Sequence, residues 1–120
     1  MELDGRLDEA LETIEQALGE DAYEALHRPE ILRVRGELRL KLGQLELAES
    51  DLHEAIAVAR KMSAKSYELR ATMSLAQLLR DTGHRDEARI MLADIYNWFT
   101  EGFDTAELKD AKALLDELRG

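Results

Sequence analysis

Apolar residues recur at spacings of three and four along most of the chain, the period of an amphipathic helix. Ile31, Val34, Leu38 and Leu42 form one such stripe, and Leu69, Thr72, Leu75, Ala76 and Leu79 a second. A third runs through Ala106, Leu108, Ala111, Leu114, Leu115 and Leu118. A single proline and only two phenylalanines argue against a β-sandwich, and the abundance of Ala, Leu, Glu, Arg and Lys argues for helices. The pattern therefore predicts an all-α chain.

The remaining stripes fall into register when three segments are anchored on a glycine. Gly5 is followed by Ala10, Ile14 and Ala17-Leu18; Gly43 by Ala48, Leu52 and Ala55-Ile56; Gly83 by Ala88, Leu92 and Ile95-Tyr96. The anchors lie 38 and then 40 residues apart. A glycine that takes a left-handed conformation ends one helix, and the alanine five residues on lets the next helix approach closely. Each glycine is thus the expected bend of a helical hairpin. The first helix of the middle hairpin is expected over Pro29 to Leu42, because proline suits a first turn. Gly36 and Ala76, seven residues before Gly43 and Gly83, mark a close helix crossing. Ser66 is the expected cap of the following first helix, with Glu68 in its first turn. Gly5 has almost nothing before it, so the opening unit lacks its first helix and the chain reads as beginning in mid-repeat. The segment from Gly19 to Arg28 is expected as a loop, with a short helix around Tyr23 as the alternative.

Gly36, Gly43, Ala48, Leu52 and Ala55, and again Ala76, Gly83, Ala88 and Leu92, resemble the small and aliphatic positions of the tetratricopeptide repeat. The usual aromatic residues of its first helix are replaced by Leu32 and Arg39, then by Thr72 and Leu79, and the spacing is 40 rather than 34. That variant resembles the C-terminal repeat arrays of large bacterial signalling ATPases, some of which carry a class III adenylate cyclase or a DNA-binding head. Arg35–Leu38, Ala64–Arg70 and Trp98–Thr105 are similar to the ends of those arrays. The resemblance implies a right-handed, tetratricopeptide-like helical stack with a capping helix. Its expected parts are a half repeat and loop over 1–28, repeats over 29–62 and 66–103, and a cap over 104–120. It also implies a non-catalytic, protein-binding scaffold or regulatory segment in bacterial signalling.

Composition narrows the classes without naming a partner. The 120 residues carry a net charge of −10, which disfavours nucleic acid as the main ligand. With no cysteine there is no disulfide and no thiolate chemistry, a usage compatible with the cytoplasm, the expected location. No apolar run reaches the roughly 18 residues of a membrane span. His27, His53 and His84 show no metal-ligand spacing and read as surface residues. Asp81-Thr82-Gly83 repeats an aspartic-protease tripeptide, but within a helix-ending turn, and Ser63, Lys65 and Ser66 lack an accompanying base. No enzyme, cofactor or metal is expected. Tyr96, Trp98, Phe99 and Phe103 read as a core seal for the last repeat, with a partner anchor as the alternative.

Charge alternates along the chain. Residues 1–26 sum to −8, 27–41 to +3, 42–62 to −2, 63–85 to +2 and 86–120 to −5. First helices are thus basic and second helices acidic. If first helices line the groove of the stack, Arg33, Lys41, Arg70 and Arg80 make it locally positive, with Glu37, Met73 and Gln77 between them. The expected ligand is then a protein or peptide with an acidic segment, bound by charge-assisted hydrogen bonds. The competing expectation is that these cations pair with acids on adjacent helices, for little gain. A different function class is self-association: Leu7, Leu11, Ile14 and Leu18 on the unpaired first helix would seek a second copy in a homodimer.

Overall fold

The computed structural model describes the backbone of residues 2–17 and 21–120 and the side chains of residues 5–16 and 25–120. Among these residues there are six helices and no strand: α1 (Glu2–Ala17), α2 (Asp21–Lys41), α3 (Leu45–Lys61), α4 (Lys65–Asp81), α5 (Arg85–Tyr96) and α6 (Ala106–Arg119). The fold is all-α, as the pattern predicts.

The three connections from α2 to α5 share one construction. In each the helix ends in a Schellman motif, whose paired amide bonds satisfy the last carbonyls. Gly43 N–H donates to Leu40 O (3.1 Å) and Gln44 N–H to Arg39 O (2.8 Å). The same pair recurs from Ser63 to Arg60 (3.1 Å) and Ala64 to Ala59 (2.9 Å), and from Gly83 to Arg80 (3.3 Å) and His84 to Leu79 (2.7 Å). The residue at the bend has positive φ in all three: 80° at Gly43, 55° at Ser63 and 87° at Gly83. A Cβ at Gly43 or Gly83 would meet nothing within 4 Å. Alanine at either position therefore costs only the left-handed strain of an L residue, about 1–2 kcal/mol. Denaturant unfolding of Gly43→Ala and Gly83→Ala checks this: a shift in midpoint with an unchanged slope is expected.

Three boundaries differ from the sequence expectation. Gly5 lies inside α1, so the first of the three glycines makes no bend. α2 begins at Asp21 and runs through Pro29, so the segment expected as a loop is helical from residue 21, and the division at 28/29 cuts a helix. Proline there removes the bond to the Ala25 carbonyl. Ala25 is exposed, so water can take that carbonyl, while the buried Pro29 ring keeps its packing. Ser66 is not a cap: α4 starts one residue earlier, after Ala64. Thr105 does cap α6, its hydroxyl accepting from Leu108 N–H.

α2 packs on α3 and α4 on α5, each as a hairpin; α4 also packs on α2, α3 and α6. Between α3 and α5 there is no comparable contact. The even-numbered helices therefore form one shared layer, with α4 at its centre. Most of the core follows the expected stripes, with Leu52, Ala55, Leu69, Leu75, Ala76, Ala88, Leu92 and Leu115 all buried. On α2 Ile31 and Leu32 are buried, while Val34, Leu38 and Leu42 of the expected stripe are half-buried. At the first crossing Gly36 admits Leu52 so closely that an added Cβ would lie 3.1 Å from its Cγ, and 3.3 Å from the Ala48 carbonyl oxygen.

The two hairpins differ at one layer. Forty residues before Leu75, Leu79 and Met91 stand Arg35, Arg39 and Asp51. Asp51 is only 3% exposed. It accepts two bonds from Arg35 (Nε 3.0 Å, NH2 2.8 Å) and a third from Arg39 NH1 (2.8 Å). The second hairpin closes this level with aliphatic side chains and the first with a buried ion triad.

Candidate functional site

The shared face of α2, α4 and α6 carries a shallow depression of about 210 Å³ lined by Arg33, Glu37, Arg70, Met73, Ser74, Gln77, Glu107 and Asp110. Helical spacing explains the set. Arg33 and Glu37 lie one turn apart on α2, Arg70, Met73, Ser74 and Gln77 follow the same period on α4, and Glu107 and Asp110 follow on α6. Five of the seven residues expected in the groove are thus brought together. Lys41 and Arg80 are not. Lys41 sits exposed at the end of α2. Arg80 is turned to the far end of the layer, where it donates to Asp81 (Nε, 3.0 Å) and to Glu117 of α6 (NH1, 2.9 Å).

The groove is not the positive surface of the acidic-ligand expectation; its arginines pair with neighbouring acids, as the competing expectation has it. Arg33 donates through Nε to Glu30 (2.7 Å) and through NH1 to Glu37 (2.8 Å). Arg70 pairs with Glu107 of α6 and reaches Glu30 of α2 from NH1 (3.2 Å), so one guanidinium joins all three even helices. Its pKa is raised, first by the hydrogen bond to Glu107 and next, against the opposing effect of burial, by that to Glu30. Glu37 also accepts from the buried Ser74 hydroxyl (3.0 Å). The sequence reading set Glu37 between the arginines of α2 and α4 but left out Glu30, which shares their face. It also missed the acids that α6 adds. Glu107 and Asp110 are the residues sequence reasoning overlooked, because α6 read only as a cap.

The other sequence candidates are dispersed. His53 and His84 are exposed and far apart in the chain, and His27 Nδ1 lies 2.9 Å from the Tyr67 hydroxyl, joining α2 to α4. No group of three His, Cys, Asp or Glu among the described residues is placed to hold a metal, and none of their helices is long and apolar enough to cross a membrane. The closing aromatics divide. Tyr96 and Phe99 pack against the core, whereas Trp98 and Phe103 are 56% and 44% exposed. Trp98 meets Phe99 edge-on (centroids 5.2 Å apart) and carries the Lys65 ammonium over its ring at 5.3 Å. On α1, Leu7, Leu11 and Ile14 are half-buried against α2, and Leu18 lies outside the described residues.

No protein-family model, no curated protein and no solved structure matches this chain.

Proposed function

We propose that this chain is a non-catalytic protein-interaction module that holds a peptide or domain segment along the shared face of α2, α4 and α6. The observation that carries the reading is the convergence of Arg33, Glu37, Arg70, Met73 and Gln77 on one depression of that face. Three helices supply it, so its shape depends on the stack and not on any loop. Its lining mixes an apolar side chain, a free amide and charged groups, the chemistry of a recognition surface rather than of a reaction centre. The tetratricopeptide-like arrangement, in right-handed form and as a segment of a bacterial signalling protein, belongs to the same proposal. It is supported by the three matching helix-ending turns, the 40-residue correspondence between hairpins and the layer formed by the even helices.

Selection from a random peptide library on the immobilised chain tests the groove. Gln77 is exposed, so Gln77→Trp fills the depression without disturbing the core. Selected peptides are expected to bind the parent chain and lose at least about tenfold in affinity, near 1.4 kcal/mol, on the variant. Peptides that bind both equally would place recognition elsewhere.

A second reading, self-association, rests on α1. Among the described residues it packs only on α2, leaving Leu7, Leu11 and Ile14 half-buried and outside the core cluster. Light scattering over a range of concentrations decides it. A dimer that Leu11→Glu and Ile14→Glu convert to monomer supports it, and a monomer throughout overturns it.

A further inference from the structure

A second, larger depression of about 400 Å³ adjoins the first, with Glu107 lining both. It lies between the start of α4 and the start of α6. Leu69 and Leu108, 1% and 4% exposed, form its floor, the half-buried Phe99 ring a wall, and Ser66, Glu101, Thr105 and Glu107 its rim. Gly102, with φ of 79°, turns the chain at its edge. The two share Glu107 and make a paired surface: an apolar cleft on one side, a polar trough on the other.

The charge of that surface is opposite to what the arginine pattern suggests. Arg33 and Arg70 are its cations, and each is already bridged by two carboxylates, Glu30 and Glu37 for the first, Glu30 and Glu107 for the second. Glu101 and Asp110 are exposed, and no ion pair or hydrogen bond is made to either carboxylate by any described residue. An anionic ligand must break an existing ion pair to reach a guanidinium. A cationic ligand finds two free carboxylates beside an open apolar cleft. The net charge of −10 steers approach in the same sense.

Resting on the groove reading, we infer that the segment held there is cationic and amphipathic: an apolar side chain enters the Phe99–Leu69–Leu108 cleft, and lysine or arginine side chains lie against Glu101 and Asp110. The apolar anchor supplies affinity through burial, and the carboxylates fix orientation and select the sign of charge.

The test uses the full chain and two fluorescein-labelled peptides of leucine, alanine and glutamine, one carrying lysines and its twin carrying glutamates at the same places. Fluorescence anisotropy is the readout, with Trp98 emission reporting the cleft, since its ring meets that of Phe99. The lysine peptide is expected to bind at least about tenfold more tightly and to weaken as salt rises. Glu101→Gln combined with Asp110→Asn, both exposed, is expected to lower that affinity about tenfold with the thermal midpoint unchanged. Equal affinity for the twins, or no response to the double variant, overturns the inference. If the glutamate peptide binds and Gln77→Trp abolishes it, the charge assignment fails while the groove stands. If neither peptide binds, both fall.

Discussion

Asp51→Ala lowers the stability of the chain by about 3–5 kcal/mol, because it leaves Arg35 and Arg39 facing each other, desolvated and without their anion. Arg35 and Arg39 side chains are only 17% and 15% exposed, so water compensates little. Arg39 Nε is buried without a partner, and the other carboxylate near that guanidinium, Glu15, stands off at 3.6 Å from NH2. The expected outcome in urea is a midpoint shift that consumes much of the stability of a domain this size. A loss under about 1 kcal/mol would show that the triad is hydrated and contributes little.

The same site makes a sharper prediction in the other direction. The second hairpin fills the corresponding level with Leu75, Leu79 and Met91. Copying them as Arg35→Leu, Arg39→Leu and Asp51→Met together is expected to leave stability unchanged or raise it by about 1–4 kcal/mol, as replacing buried ion networks by apolar groups does elsewhere. Arg39 also reaches Glu15 of α1 at 3.6 Å. The triple variant should therefore loosen α1 while firming the hairpin, which hydrogen exchange resolves helix by helix.

The second large effect is Leu75→Ala, expected to cost about 2–5 kcal/mol. Leu75 is fully buried on α4, the helix that packs on α2, α3, α5 and α6. A cavity there cannot be closed by moving one neighbour without disturbing another, so relaxation is small and the loss falls toward the upper end. Leu11→Ala on α1 is the contrast: half-buried, on a helix that among the described residues packs only on α2, it is expected to cost about 1 kcal/mol or less. Thermal unfolding of the two variants side by side checks the difference. Equal losses would mean that α1 belongs to the same cooperative core as α4.

Much of the core was legible because helical burial is a local, periodic property. Ala48, Leu52, Ala55 and Ile56 are buried where spacing placed them, as are Ala88, Leu92 and Ile95. Gly43 and Gly83 take the left-handed bend that their position between two stripes predicts. Ser63 makes the third bend with the same hydrogen bonds, and no glycine advertises it; the tertiary packing of α3 on α4 enforces a conformation the residue type alone does not favour. Gly5 shows the converse, a glycine with the right neighbours in sequence and no turn in space. Pro29 misled for a related reason. Its helix-breaking effect is a local preference, and burial against the neighbouring helices outweighs one lost hydrogen bond.

The charge reading marks the limit most clearly. By itself the sequence determined an all-α chain, the positions of most buried residues and the two glycine turns, because these depend on period and on single-residue conformational cost. It also placed Arg33, Glu37, Arg70, Met73 and Gln77 on one face. Only the tertiary structure decided which carboxylates stand beside those arginines, since Glu30 meets Arg70 across 40 residues and Glu107 meets it across 37. The sign of a surface is the sum over helices brought together by packing, and Coulomb interaction depends on distance in space rather than along the chain.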